Sequence, residues 1–323
     1  MNSLIKKNIQ SLKPSSTLLI NEKSKELIKK GKKIINFGFG QSPFPVPEKI
    51  VNELKKNAYK KEYLPIQGLL SLRKAISNSI LNKTNVNYPE KNIIITPGSK
   101  EAMLLMHVAF KGEIILPAPS WVSYEPQATI ASNKVHWIQT SGENNWFPTA
   151  KQVENKINLL GKNKNIILIL NSPNNPSGTT CSNLKEIAAV AKKYKIIILS
   201  DEIYTDLTFD QKYESISKYY PERTFISGGL SKWCGAGGWR VGFFAVPDKL
   251  SELLENIKTL ASESYSTVNS PAQFAATKAY SENFNEYKNK TINILKSVGN
   301  YVYKNLKSNK VLINQPQGAF YLM

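Results

Sequence analysis

Two short apolar runs decide the fold class of this chain. Residues 166–170 read Ile-Ile-Leu-Ile-Leu, and residues 196–200 read Ile-Ile-Ile-Leu-Ser. Runs of this length that are apolar on both faces are typical of buried strands. A helical stretch separates the two runs, so the strands are expected to be joined by a right-handed crossover. The pattern predicts an α/β fold with a mostly parallel sheet.

The same alternation of strands and helical stretches extends in both directions along the chain. Further strands are predicted at residues 93–96, 114–116, 135–138, 225–227 and 241–246. Nearer the N-terminus the pattern predicts a helix at 17–30, a short extended segment at 34–37 and a helix at 70–81.

Composition narrows the function classes. The 323 residues allow one large domain and a smaller one, and a hydrophobic share of 41% is ordinary for a globular protein. The net charge of +19 comes from scattered lysines, and the chain contains only three arginines, Arg73, Arg223 and Arg240. We find no interleaved aromatic array or nucleic-acid motif, so we expect no specific nucleic-acid partner.

The two cysteines and the N-terminal sequence bear on cellular location. Cys181 and Cys234 fit neither a metal-binding spacing nor a disulfide framework. The N-terminus lacks the apolar core of a secretory signal, and the apolar runs are far shorter than the ~20 residues that span a bilayer. We therefore expect a cytoplasmic protein with no metal site and no membrane contact.

Polar residues follow several of the predicted strands. Ser99 and Lys100 follow strand 93–96 and begin the next helix, Asn175 follows strand 166–170, and Asp201 follows strand 196–200. Ligands of open parallel sheets bind beyond the carboxyl ends of the strands, and a helix N-terminus favours an anion. These residues are therefore candidates for one binding site.

The stretch at 231–242, Ser-Lys-Trp-Cys-Gly-Ala-Gly-Gly-Trp-Arg-Val-Gly, carries the chemistry of the chain. A lysine before a loop of small residues can place its amine at an aldehyde carbon, while an arginine at the end of the loop grips a phosphate. Lys232 and Arg240 therefore indicate a pyridoxal phosphate site. Taken singly, Lys232 could be a solvated surface lysine and Arg240 a member of a surface ion pair.

From about residue 19 to residue 323, the chain resembles the class I/II aminotransferases of the aspartate aminotransferase-like group, which are fold type I pyridoxal phosphate enzymes. Separate segments carry the resemblance in the family's order, namely 36–47, 63–68, 97–100, 119–124, 171–178, 201–204 and 231–242. The likeness implies transfer of an amino group between an amino acid and a 2-oxo acid.

The resemblance also implies an architecture. Residues 41–285 would form a three-layer α/β/α cofactor-binding domain. Residues 1–40 would supply an N-terminal arm and part of a small domain, and residues 286–323 the start of a small α+β domain that is incomplete here. The family further implies a homodimer with shared active sites.

The cofactor roles implied by the resemblance fall on matching positions. Lys232 corresponds to the Schiff-base lysine, and Asp201 to the aspartate that pairs with the pyridine nitrogen. Tyr204 and Asn175 correspond to the pair that hydrogen-bonds the phenolic oxygen. Trp121 corresponds to the aromatic residue stacked over the ring, although a tryptophan of the core is the alternative.

The remaining implied roles concern the phosphate and the substrate. Phosphate contacts are implied for Arg240, Ser99, Lys100 and Ser231, and for Tyr63 across a dimer interface. Gly40, Trp121 and Asn175 correspond to residues that contact the substrate, with the Gly40 backbone near the substrate carboxylate.

The chain departs from the family pattern in three places. Relatives continue beyond the position of Met323 and carry there an arginine that binds the substrate α-carboxylate, whereas no arginine follows Arg240. We therefore expect a truncated chain with very low turnover. Gly229 replaces a phosphate-binding serine, and either Ser227 or Ser231 could compensate. Residues 261–271 lack the arginine of dicarboxylate-specific members, which weakens aspartate as the preferred donor.

Two other functions remain open from the sequence. Fold type I β-lyases retain the same Lys, Asp, Asn and Arg set, because fold alone does not choose the bond that breaks. A truncated remnant that binds pyridoxal phosphate without turnover is the second alternative. Product analysis distinguishes all three.

Overall fold

The computed structural model describes residues 4–38, 40–161, 163–210, 213–308 and 310–323. Over these ranges the chain forms eleven α-helices and one seven-stranded sheet. The strands are β1 (Ile93–Thr96), β2 (Glu113–Ala118), β3 (Lys134–Gln139), β4 (Ile166–Asn171), β5 (Ile197–Asp201), β6 (Thr224–Gly229) and β7 (Gly242–Ala245).

The helices surround this sheet. They are α1 (Lys7–Gln10), α2 (Ser16–Lys29), α3 (Glu48–Lys56), α4 (Leu70–Thr84), α5 (Ser99–Ala109), α6 (Tyr124–Ile130), α7 (Ala150–Leu160), α8 (Leu184–Tyr194), α9 (Ser251–Ser264), α10 (Ser270–Ser281) and α11 (Asn285–Leu306). Short 3-10 turns lie at Glu90–Asn92, Gly142–Asn144, Thr205–Leu207, Ile216–Lys218, Pro221–Arg223, Gly237–Trp239 and Asp248–Leu250. None of the helices in the described ranges is both long and apolar enough to cross a membrane.

The sheet has the strand order β1-β7-β6-β5-β4-β2-β3. Strands β6, β5, β4, β2 and β3 pair in parallel, whereas β7 is antiparallel to both β6 and β1. The connection from β6 to β7 forms a short 3-10 turn and no crossover helix, so the chain returns antiparallel beside the strand it has just left. The predicted mostly parallel sheet is confirmed.

Alternate residues of the strands face opposite sides of the sheet. Phe243 packs with α4 and α10, whereas its neighbour Phe244 packs with α5 and α9. Every residue of β4 and β5 is buried, so both faces of the central strands are covered. These contacts establish the three layers that were predicted for the α/β fold.

Near the N-terminus the predicted helix is confirmed, because helix α2 forms at the expected place. The segment at 34–37, predicted to be extended, belongs to none of the described strands, and Ile35 and Phe37 are 72% and 93% exposed. An extended segment becomes a strand only by pairing with a neighbour, and none of the described strands pairs with this one. The predicted domain boundaries at residues 40 and 285 stay predictions.

Candidate active site

A cavity of about 900 Å³ lies at the edge where the parallel strands end and β7 begins. Every predicted site residue except Tyr63 lines it: Gly40, Ser99, Lys100, Trp121, Asn175, Asp201, Tyr204, Ser231, Lys232 and Arg240. The strand order explains this convergence, because residues that follow neighbouring parallel strands emerge at the same edge. The volume suits a cofactor-sized ligand.

Lys232 lies in the turn between β6 and β7. Its Nζ atom donates a hydrogen bond to the Gly40 carbonyl oxygen at 2.8 Å and lies 5.5 Å from the centre of the Tyr204 ring. Burial lowers the pKa of Lys232 to about 8, Asp201 opposes this shift, and Arg240 and Lys100 add to it. At neutral to mildly basic pH the amine therefore has a much larger neutral, nucleophilic fraction than an exposed lysine.

Asp201 is the last residue of β5 and is only 4% exposed. Its Oδ2 atom accepts a hydrogen bond from the Tyr124 hydroxyl at 2.7 Å, and its Oδ1 atom accepts one from the Ser227 hydroxyl at 2.8 Å. Burial raises the pKa of Asp201, while these hydrogen bonds and the charge of Lys232 oppose the rise. A carboxylate this deeply buried calls for a cationic partner inside the cavity.

Tyr204 and Asn175 lie together on the wall beside Lys232. The Asn175 amide is 3.5 Å from the Tyr204 hydroxyl, which also lies 2.6 Å from the Tyr321 hydroxyl. The Asn175 backbone N–H donates to the Asn171 side-chain oxygen at 2.8 Å, which holds the loop after β4 in place. Burial raises the pKa of Tyr204 well above its ordinary value, so its phenol is protonated and can donate to a ligand oxygen.

The opposite end of the cavity is built to hold an anion. Arg240 donates hydrogen bonds to the carbonyl oxygens of Gly237 at 2.9 Å and Pro97 at 3.1 Å. Ser99 and Lys100 begin α5, whose first backbone N–H groups have no partner within the helix. Gly98 has a φ of +81°, and a Cβ there would lie 2.3 Å from the Arg240 guanidinium, so only glycine fits this cradle.

Trp121 and Lys100 both line the cavity and contact each other. The Lys100 Nζ atom lies 5.1 Å from the centre of the Trp121 ring. Burial lowers the pKa of Lys100, and the nearby charge of Arg240 lowers it further. On the other side, Gly40 lies under Tyr321, whose hydroxyl would be 2.2 Å from a Cβ at position 40.

Comparison with known proteins shows the family. The family model for aminotransferase class I and II matches residues 32–323. An aspartate aminotransferase of Thermotoga maritima is 32% identical over 329 residues, which cover 99% of this chain and 84% of that protein. This chain belongs to the class I and II aminotransferases.

Further relatives agree with this assignment. A probable aspartate/prephenate aminotransferase of Rickettsia typhi is 32% identical, with 99% of this chain and 82% of that protein covered. The Thermus thermophilus aspartate aminotransferase solved with maleate superposes with a TM-score of 0.89 at 25% identity, covering all of this chain and 85% of that one. An alanine aminotransferase of Pyrococcus furiosus superposes with a TM-score of 0.90 at 30% identity, covering 98% and 83%.

The cavity of this aminotransferase fits pyridoxal phosphate, the cofactor of the family. The Lys232 amine, with its lowered pKa, suits the aldehyde of the cofactor, and the buried Asp201 carboxylate suits its ring nitrogen. The Tyr204 phenol and the Asn175 amide suit its phenolic oxygen. The arginine and the helix start provide donors for the phosphate. As a member of the family, the protein transfers amino groups between amino acids and 2-oxo acids.

One predicted residue of this aminotransferase lies apart from the cavity. The Tyr63 side chain is 88% exposed and does not line the cavity of its own chain. A role for Tyr63 would therefore need a second subunit, as the resemblance implied.

Sequence reasoning assigned no role to two tyrosines of the aminotransferase site, Tyr124 and Tyr321. Tyr124 lies inside the family-like segment 119–124, whereas Tyr321 lies outside all the segments that carry the resemblance. Only their hydrogen bonds to Asp201 and Tyr204 single them out. Ser227 and Ser231, the two serines that could replace the phosphate-binding serine, differ in their surroundings. Ser227 is fully buried and donates to Asp201, whereas Ser231 lines the cavity with Arg240.

Proposed function

We propose that this aminotransferase takes a dicarboxylic amino acid such as aspartate as its amino donor. The observation that carries this proposal is the charge of the cavity, whose described lining contains Lys100, Lys232 and Arg240 but only one carboxylate, Asp201. The names of the Thermotoga and Thermus relatives support an acidic substrate. Residues 261–271 lack the arginine of dicarboxylate-specific members, which had weakened aspartate as the expected donor. Lys100 of α5 supplies a cation in place of that arginine in this proposal.

The other charged groups have partners on the cofactor in this proposal. Lys232 holds the aldehyde carbon, Asp201 holds the ring nitrogen, and Arg240 holds the phosphate with Ser231 and the N–H groups of Ser99 and Lys100. The Lys100 side chain is then left for the second carboxylate of the substrate. Within the described residues, no ion pair includes Lys100.

Orientation of the cofactor ring falls to three further residues in this proposal. Trp121 stacks over the face of the ring, and Tyr204 and Asn175 donate hydrogen bonds to its phenolic oxygen. Bound pyridoxal phosphate supplies an aldehyde and a ring that accepts electrons from the substrate α-carbon.

Lys232 also moves the proton in the proposed mechanism. With cofactor and substrate bound in this cavity, the Lys232 amine would be the group that accepts the proton from the substrate α-carbon and donates a proton back. A pKa of about 8 suits both directions of transfer, because the neutral and protonated forms are both populated near neutral pH. The Gly40 carbonyl oxygen orients the amine by accepting its hydrogen bond at 2.8 Å.

The test of the substrate class is Lys100→Met. We expect KM for aspartate to rise about tenfold or more with little change for alanine, since a hydrogen bond to a charged group contributes roughly 1.5 to 3 kcal/mol. The matched control is Lys49→Met, because Lys49 is an exposed lysine on α3. Equal changes for aspartate and alanine in Lys100→Met would argue against the assignment.

Product analysis tests the reaction itself. With stoichiometric cofactor-loaded protein, aspartate should yield one equivalent of oxaloacetate and of pyridoxamine phosphate per active site. Pyruvate and ammonia from cysteine-type substrates would support the β-lyase alternative. Cofactor binding without any product from a panel of amino acids would support the non-turnover alternative.

We also propose a homodimer in which Tyr63 contacts the cofactor phosphate of the partner subunit. Its exposure away from its own cavity supports this role. Mixing Tyr63→Ala with Lys232→Ala should restore activity, because one site of each hybrid dimer then carries neither substitution. No recovery despite demonstrated subunit exchange would contradict the shared site.

We also propose a cytoplasmic location. Both cysteines are buried and form no disulfide bond, which fits a reducing compartment.

A further inference from the structure

Tyr124 contacts Asp201 from outside the described cavity lining. It is the first residue of α6, is 1% exposed, and donates its hydroxyl to the Asp201 Oδ2 atom at 2.7 Å. Burial raises the pKa of Tyr124 well above its ordinary value, so the hydroxyl keeps its proton and acts as the donor. The carboxylate therefore has a buried neutral donor on one oxygen.

The ring of Tyr124 makes a second contact. It packs edge-on against Trp121, with ring centres 5.2 Å apart and planes at 83°. One side chain thus touches both the carboxylate proposed to hold the edge of the cofactor ring and the indole proposed to cover its face. A phenylalanine at position 124 keeps the second contact and removes only the first.

Ser227 completes the surroundings of the carboxylate. Its hydroxyl, fully buried, donates to the Asp201 Oδ1 atom at 2.8 Å, and the Ile203 backbone N–H lies 3.4 Å from the same oxygen. Both oxygens are therefore fixed, so the carboxylate cannot rotate without breaking a buried hydrogen bond. A carboxylate accepts about four hydrogen bonds in all, which leaves room for the ring nitrogen.

We propose that Tyr124 is a positioning residue that keeps Asp201 ionised and aimed at the ring nitrogen of the cofactor. The inference rests on the proposed pairing of Asp201 with that nitrogen. Hydrogen bonds donated to the ionised form of a buried acid favour that form over the neutral acid. Among the groups that oppose the effect of burial on the Asp201 pKa, Tyr124 is the largest.

The test uses two ligands, pyridoxal phosphate and its analogue 1-deazapyridoxal phosphate, in which carbon replaces the ring nitrogen. We measure their dissociation constants by quenching of tryptophan fluorescence in the wild type and in Tyr124→Phe. The wild type should prefer pyridoxal phosphate, and the variant should lose about tenfold or more of that preference. Binding of the analogue should stay unchanged, because it makes no contact that depends on ionised Asp201.

Tyr88→Phe is the matched control. Tyr88 is also 1% exposed and donates a 2.7 Å hydrogen bond, but its acceptor is the Thr224 carbonyl oxygen at the far end of β6. This variant should keep the wild-type preference. If Tyr124→Phe does not fold, 3-fluorotyrosine at position 124 strengthens the donor with little change in shape and should increase the preference.

The possible outcomes distinguish the pairing of Asp201 with the ring nitrogen from the positioning role of Tyr124. A wild type that binds both ligands equally would overturn the pairing of Asp201 with the ring nitrogen, and the inference with it. A wild type that discriminates, with Tyr124→Phe discriminating equally well, would overturn the inference alone. Equal weakening of both ligands in Tyr124→Phe would show a merely structural role and would also overturn it.

Discussion

The hydroxyl groups of Tyr204 and Tyr321 lie 2.6 Å apart, although 117 residues separate them in the chain. The pair joins the turn after β5 to the segment that follows α11. That segment is also held by the Gly178 carbonyl oxygen, which accepts hydrogen bonds from the backbone N–H groups of Gln317 and Gly318. The wall beside Lys232 is thus assembled from three distant parts of the sequence.

Substitution at Gly40 should break this tyrosine pair. A Cβ at position 40 would lie 2.2 Å from the Tyr321 hydroxyl, so Gly40→Ala displaces Tyr321 and leaves Tyr204 without its partner. We expect weaker cofactor binding in Gly40→Ala, and partial recovery in Gly40→Ala with Tyr321→Phe. A double-mutant cycle on cofactor affinity measures this coupling, and strictly additive effects would refute the steric explanation.

Covalent attachment of the cofactor should occur at Lys232. Borohydride reduction with pyridoxal phosphate, followed by peptide mapping, should place the label there and also in the Lys100→Met control. Because burial lowers the pKa of Lys232 to about 8, the attachment rate should rise with pH up to about 8 and then level off. A label at another lysine, or a rate that keeps rising to pH 10, would contradict the assignment.

Arg240→Lys should weaken cofactor binding more than Arg223→Lys. Arg240 is proposed to hold the phosphate, and a lysine cannot reproduce its two-pronged contact. The expected loss is roughly tenfold or more in the dissociation constant, from charged hydrogen bonds of about 1.5 to 3 kcal/mol. Arg223 donates an exposed hydrogen bond to the Lys195 carbonyl oxygen and is not part of the described cavity lining, which makes it the control. Equal dissociation constants would count against a phosphate role for Arg240.

His107 should make the fold sensitive to acid. It is fully buried in α5, and burial lowers its pKa to about 4, with Asn133 opposing the shift. The unfolded state binds the proton more tightly, so stability falls as pH drops from about 6.5 to about 4, by roughly 3 kcal/mol. Urea unfolding of the wild type and His107→Leu across this range measures the difference. The same pH slope in both proteins would rule out His107 as the cause.

Asp206 should stabilise the packing of α11. Its carboxylate pairs with Lys83 of α4 at 2.7 Å and with Lys288 of α11 at 2.9 Å, and it is 14% exposed. We expect Asp206→Asn to lower the free energy of unfolding by about 2 kcal/mol, the contribution of hydrogen bonds to charged groups. Asp210→Asn is the control. Asp210 also pairs with a lysine of α11, Lys296, but its side chain is exposed, so this ion pair contributes little. A similar loss in both variants would show that α11 is held by other contacts.

The sequence by itself determined the layers of the fold and ten of the residues that line the cavity. Strand β1 has the predicted bounds, and Asp201 and Asn175, which come after predicted strands 196–200 and 166–170, line the cavity. These features are local, because short continuous apolar runs mark strands that are buried on both faces, and parallel strands bring their carboxyl ends to one edge. Lys232 and Arg240 indicated a pyridoxal phosphate site for the same reason, because the turn of small residues that joins them is also a local feature.

Only the tertiary structure decided which side chains meet across that edge. Tyr124 donates to Asp201 across 77 residues of chain, Ser227 donates to Asp201 and does not line the cavity, and Tyr63 is exposed outside its own cavity. A hydrogen bond depends on the distance and angle of two atoms whose positions follow from packing throughout the core. Local sequence pattern sets the buried face of each element, and the packing of the layers sets the partners.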